Sequence, residues 1–96
     1  MTIDDFIDAR VAEIEQAALD AGGEPDRVLA DCKAKRRIVA FARYAQTIAY
    51  GEGHTQGDPS YRLGQWHGYK AVLVQLASIW SDHPDFRTEW AADALL

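Results

Sequence analysis

The stretch PDRVLADCKAKRRIVAFARYAQTIAY, residues 25–50, decides the fold. Val28, Cys32, Ile38, Val39, Ala42, Ala45 and Ala49 fall on one stripe of a helix. Pro25 suits a first helical position, and no glycine or second proline interrupts the run before Gly51. The pattern predicts one helix from Pro25 to Tyr50, about 39 Å long at 1.5 Å per residue. Lys35 projects close to the middle of its apolar band, and Arg43 lies at the edge. A lysine there either snorkels to water or pairs with a carboxylate from another helix.

Charge says what this helix packs against. Residues 27–43 carry six bases and one acid, while residues 1–26 carry eight acids and one base. Residues 44–96 hold six acids and three bases, so the net charge of −5 is spread very unevenly. An acidic helix followed directly by a basic one predicts an antiparallel hairpin. At least one ion pair is expected to link Asp8, Glu13, Glu15 or Asp20 to Lys33, Arg36, Arg37 or Arg43. Exposed pairs contribute only about 0.2–1 kcal/mol each, so they orient the helices more than they stabilise them.

The acidic helix is predicted from Ile3 to Ala21. Thr2 is its N-cap, and Asp4 and Asp5 lie in the first turn, where the helix dipole favours negative charge. Ile3, Phe6, Ile7, Val11, Ile14, Ala17, Ala18 and Ala21 form its apolar stripe. Gly22 is expected as a left-handed C-cap. On the other side of residues 25–50, GEGHTQGD at 51–58 reads as a flexible loop. Asp58-Pro59 then starts a third helix, expected to end at Trp80, with Leu63, Trp66, Tyr69, Leu73, Leu76 and Trp80 at spacings of three and four. From Ala71 to Trp80 only Gln75 and Ser78 are polar, which predicts the most buried helix and a largely buried Trp80. Gly64 and Gly68, four apart, read as close helix packing or a frayed first turn. A short fourth helix is expected from Pro84 to Ala94, with Ser81 or Asp82 as its cap.

Composition bounds the rest. Ninety-six residues make one domain, 1–96, and not two. Hydrophobic residues form 48% of the chain, which excludes wholesale disorder. No run of 18 apolar residues exists, so no membrane helix is expected. The opening MTIDDF lacks the basic region of a signal peptide, and with the single Cys32 this points to the cytoplasm. One cysteine also excludes an internal disulfide framework.

Three stretches carry a resemblance. LASIWSDHPDFRTEW at residues 76–90 resembles LALPYADHPDYREEW, the typical ending of a family of small proteins of unknown function found in actinobacteria and their phages. RVLADCKAKRRIV at 27–39 resembles that family's RVLAEVEAKRRIL. DDFIDARVAEIEQAA at 4–18 resembles its acidic, arginine-containing first helix. The three runs keep the family's order and cover 43 of 96 residues. Where family members often carry a longer aromatic-containing segment, this chain has only Gly22-Gly23-Glu24, and Tyr44 to Tyr69 matches nothing in the pattern. The resemblance implies an actinobacterial or actinophage origin and no particular activity.

The residues offer few sites. Lys33, Arg36, Arg37 and Arg43, with Tyr61, Trp66 and Tyr69, form the candidate interaction surface. On a helix Lys33 and Arg37 share a face while Lys35 and Arg36 point elsewhere, so the basic run is not one patch. Four cations on one exposed face with no acid in reach would favour a nucleic-acid role, and pairing with the first helix would count against it. His54, His67, His83 and Cys32 lack metal-ligand spacing, so no metal or cofactor is expected. Asp82-His83-Pro84-Asp85 admits an acid–base reading. The simpler reading makes Asp82, His83, Pro84, Asp85, Phe86, Arg87 and Trp90 a structural cap, with Phe86 and Trp90 turned onto the third or second helix. No nucleophile elbow, phosphate loop or dinucleotide fingerprint occurs, so a non-enzymatic protein is expected. The fold expected is an all-α bundle: a hairpin of two long helices, a buried third and a short fourth. Ten aromatics exceed what so small a core encloses, which predicts a homodimer and an interface for an unknown protein partner. The expected role is a small phage accessory factor, with a nucleic-acid-associated protein using residues 33–43 as the alternative.

Overall fold

The structure, a computed structural model, describes residues 1–50 and 59–93. The glycine-rich loop and His54 lie outside the described residues. Four helices follow one another: α1 (Ile3–Ala21), α2 (Asp26–Tyr50), α3 (Pro59–Ala77) and α4 (Thr88–Asp93), with a 3-10 turn at Ser78–Trp80. No strand occurs among the described residues, and the molecule is a small all-α bundle.

Helix α1 begins as its sequence dictates. The Thr2 hydroxyl accepts the Asp5 N–H at 3.4 Å, and Asp4 and Asp5 occupy the first turn. Its end differs in detail from the expected left-handed cap. Gly22 has φ 73° but ψ −162°, a conformation nearly confined to glycine, and Gly23 follows at φ 78°. Pro25 stands one residue ahead of α2 and accepts the Leu29 N–H at 2.9 Å, so it closes the first turn from outside.

Helices α1 and α2 pack as an antiparallel hairpin. Arg43, late in α2, meets the start of α1, and Arg36 meets Glu15 near its end. Helices α2 and α3 are antiparallel too: Phe41 stacks on Tyr69, while Lys35, one to two turns earlier, lies over the Trp80 ring. Their shared core holds Phe6, Ile7 and Val11 of α1, Cys32, Val39 and Ala42 of α2, and Leu73 and Ala77 of α3. The single Cys32 thiol is buried and faces the Val11 carbonyl.

Two expectations fail on α3 and the tail. Helix α3 buries Leu73, Val74 and Ala77, but Val72 and Ile79 are exposed and Trp80 only half-buried. The reason is coverage: α1 and α2 together cover one side of α3, and an apolar run longer than that side spills outward. The helix also stops at Ala77, where the Ser78 hydroxyl donates to the Gln75 carbonyl at 2.6 Å and the chain tightens into the 3-10 turn. Gly64 and Gly68 do not mediate close packing within the chain, because a Cβ on either would meet nothing within 4 Å.

The fourth helix starts at Thr88, not Pro84, after a run of turns closed by His83 N–H to Trp80 O (2.9 Å) and Phe86 N–H to His83 O (3.0 Å). Phe86 and Trp90 turn inward as expected: α4 packs on α3, and the two rings also reach Phe6 of α1, with ring centroids 6.0 and 5.0 Å away. Trp90 is therefore the tryptophan that belongs to the core. Trp90→Ala is expected to cost about 3–5 kcal/mol in a denaturant melt. Trp80→Ala should cost less than half as much, and a reversed order would refute this assignment of the core.

Candidate functional site

Two clusters gather most of the chemically capable side chains. The first joins α1 to the tail. Arg10 lies on the apolar stripe of α1 between Phe6 and Ile14 and is only 6% exposed. Its guanidinium stands 5.2 Å over the Phe6 ring. One terminal nitrogen, Nη1, lies against the His83 imidazole, 2.8 Å from Nδ1 and in contact with Nε2. The other, Nη2, donates to Glu13 at 2.8 Å, and the Asp85 carboxylate is 3.8 Å from Nη1. Its Nε is buried without a hydrogen-bond partner.

His83 Nδ1 also accepts the Asp85 backbone N–H at 3.0 Å. Nδ1 thus faces two donors, one from α1 and one from the tail's own backbone. Neither Ser81 nor Asp82 is seen to cap the helix as expected; His83 Nδ1 instead closes the turn that leads toward it. Arg87 reaches Glu89 at 3.4 Å, while Asp82 and Pro84 are exposed. The acidic cluster Asp82, Asp85 and Glu89 leaves this end of the molecule negative around one buried arginine.

Sequence reasoning placed His83, Phe86 and Trp90 but missed Arg10. The signal was present, since Arg10 stands on the apolar stripe four residues after Phe6 and three before Glu13. Its partner from the tail is 73 residues away, and no local pattern announces such a pairing. His83→Ala is expected to leave the Arg10 guanidinium under-satisfied and to loosen the tail. Trp90 emission should then shift to the red at a denaturant concentration where the wild type is folded. An unchanged spectrum and midpoint would show that the Arg10–His83 contact holds nothing.

The second cluster is the basic face of α2, which the structure splits in two. Arg43 meets three carboxylates of α1: Nε to Asp4 at 2.7 Å, Nη2 to Asp5 at 3.1 Å and Nη1 to Asp8 at 2.8 Å. Arg36 forms a two-pronged pair with Glu15. Lys35 pairs with Asp31 within its own helix, and its stem carries it over Trp80. Lys33 and Arg37 are exposed and meet no acid among the described residues. Tyr61 is exposed, and Trp66 and Tyr69 are half-buried against the core. The structure therefore brings Arg36 and Arg43 to α1, and leaves Lys33 and Arg37 on the surface.

These pairs shift their members. Burial raises the Asp4 pKa, but hydrogen bonds from Arg43 and Thr2 outweigh it and hold the carboxyl below its ordinary value. The hydrogen bond to Asp4 raises Arg43 above the ordinary guanidinium range, and the bond to Glu15 does the same for Arg36. A carboxyl depressed in the folded state adds stability above its unfolded pKa and loses it as pH falls through the folded one. Arg43→Gln should therefore return Asp4 to its ordinary value by NMR titration. It should also flatten the loss of stability as pH falls below about 4. After solvent screening the effect at neutral pH is about 1 kcal/mol. An Asp4 titration unmoved by the substitution would refute the assignment.

Among the described residues no group of three or more His, Cys, Asp or Glu is arranged to hold a metal ion. No helix among them is long and apolar enough to cross a membrane. The order of the elements, from acidic α1 through basic α2 to the tail folded back on Phe6, runs along nearly the whole chain. Residues 1–92 match a family of unknown function, DUF6221. The chain belongs to that family. No curated protein and no solved structure matches it. The family match spans both clusters, the tail-to-α1 lock and the α1–α2 ion pairs, and it attaches no activity to either.

Proposed function

We propose that this chain is a non-enzymatic protein-interaction module, a small phage or prophage accessory protein acting in the host cytoplasm on a host or viral protein. The observation that carries the reading is the division of labour among its side chains. Arg10, His83, Arg36 and Arg43, the groups best suited to chemistry, are engaged in holding helices and tail together. Large apolar side chains meanwhile stand exposed: Phe41 and Tyr44 on α2, Tyr61 and Val72 on α3. Aromatic side chains beside cations that meet no acid among the described residues are the composition of a protein-binding surface. The actinobacterial and phage setting rests on the resemblance of residues 4–18, 27–39 and 76–90.

The nucleic-acid alternative draws on Lys33 and Arg37, which share a face with Tyr44. It loses Arg36 and Arg43 to carboxylates of α1, and two cations on a chain of net charge −5 make a small electrostatic footprint. A photo-crosslinking residue placed at Tyr44 or Tyr61 in an actinobacterial host discriminates the two. A defined protein adduct is expected from these sites and not from an Ala12 control on the outer face of α1. Adducts to nucleic acid, or none above the control, would refute the reading.

A further inference from the structure

The side of the α2–α3 layer that faces away from α1 has a composition the monomer does not require. On α2 it presents Lys33, Arg37 and Tyr44 along one stripe, with Phe41 beside them. On α3 it presents Tyr61, Gly64, Gly68 and Val72, and Ile79 of the following 3-10 turn continues this track without a charge. The Phe41 ring, stacked on Tyr69 at 6.5 Å, joins the two halves into one surface. Gly64 and Gly68 are helix-interior glycines, the poorest helix formers after proline. A Cβ on either would meet nothing within 4 Å among the described residues, so no packing described within the fold calls for them. They leave a shallow hollow where another backbone can approach closely.

The molecule also exposes more surface than its mass requires. Its accessible area is 6548 Å², against about 5,500 Å² for a compact monomer of this size. The open side of the α2–α3 layer contributes to that excess, and a stable interface takes ~800 Å² from each partner. Its extents of 49 × 27 × 19 Å show the same flattened, elongated form.

The geometry points to a second copy of this chain as the occupant of this face, related by a two-fold axis crossing α2 between Ile38 and Val39. It rests on the reading above only in taking this face for protein contact, and it assigns the face to a second copy of this chain. An interface with two-fold symmetry must be complementary to itself, and the register meets that demand on both helices at once. On α2 the axis sets Lys33 across from Tyr44 of the second copy and Arg37 within a residue of Phe41. Cations of one copy then lie over aromatic rings of the other. Phe41 and Tyr69 mark one level of the antiparallel pair. The same axis therefore crosses α3 between Ala71 and Val72. That places Ile79, exposed and apolar, across from the hollow at Gly64 of the second copy, and brings the two Val72 side chains together. Bulk meets hollow and cation meets ring under one symmetry element.

Sedimentation of the full chain at about 100 μM, where a weak dimer still forms, tests the register. The wild type is expected to run as a dimer. Tyr44→Lys should give a monomer of unchanged helicity, because it faces Lys33 with like charge and is exposed in the single chain. Lys33→Glu added to Tyr44→Lys should restore the dimer by exchanging the two charges across the axis. Gly64→Leu should weaken association by about tenfold or more while leaving the circular dichroism intact. A monomeric wild type, or a dimer indifferent to both Tyr44→Lys and Gly64→Leu, would overturn the proposal. A monomer that still gives the protein adduct described above would overturn only the dimer and leave the interaction module standing. A dimer that obeys the charge exchange but gives no adduct to another protein would support this proposal and remove the accessory role.

Discussion

The Phe6 ring lies within 5.0–6.3 Å of the rings of Trp80, His83, Phe86 and Trp90, and the Arg10 guanidinium covers it from the next turn of α1. The chain after α3, while packing on α3 itself, gathers its rings around this one side chain. The fourth helix has six residues, far too few to be stable alone. It exists because it packs on α3 and because Trp90 and Phe86 find an apolar surface at the N-terminal half of α1. The tilted and edge-on ring geometries are those that aromatic quadrupoles favour. The first and last helices of the chain are thus held through one contact of high sequence separation.

The Arg10–His83 contact gives that aromatic cluster its polarity. A guanidinium buried to this degree is costly unless its donors are satisfied. Glu13 supplies a carboxylate from the same helix, Asp85 a second from the tail, and the imidazole supplies its lone pair. The tail can approach α1 only in the arrangement that presents His83 and Asp85 together to Arg10. Hydrophobic contact alone would let Phe86 and Trp90 slide, whereas a directional acceptor set fixes the register. The turns between Trp80 and Arg87 follow from this demand, and they explain why the fourth helix begins at Thr88 and not at Pro84.

Much of the hairpin was legible in the sequence because its causes are local. The stripe from Val28 to Ala49, the Thr2 cap and Gly22-Gly23 each act within a few residues. The opposite charges of residues 1–26 and 27–43 indicated the pairing of α1 with α2, and the acids at 8 and 15 do meet Arg43 and Arg36. What escaped was set by distance or by coverage. Arg10 reads as one base in an acidic helix, and its burial comes from a histidine 73 residues on. Val72 and Ile79 read as core because their neighbours are apolar, but burial needs a partner on that side, and periodicity does not count partners. Of the seven residues of the candidate interaction surface, the four cations divide evenly between structural pairs and open surface, a division that depends on which face of α2 turns toward α1.

That division follows from how three helices share their faces. Helix α1 contacts α2, α3 and the tail, so its apolar stripe is used almost fully, and its carboxylates draw Arg36 and Arg43 to the adjoining edge of α2. Helices α2 and α3 each meet α1 on one side and each other along a second, which leaves the remaining side of both in water. A sequence selected only for this monomer would place mostly polar residues there, as α1 does with Gln16 and Asp20 beside the single exposed Leu19 on its outer face. Instead the side opposite α1 carries Phe41, Tyr44, Tyr61, Val72 and two glycines that weaken the helix bearing them. Apolar exposure and local helix weakening both reduce the fitness of an isolated chain. Their coincidence on one side of the layer, away from the charged edge and the aromatic lock, argues that the fold of α1 and the tail serves to present that side.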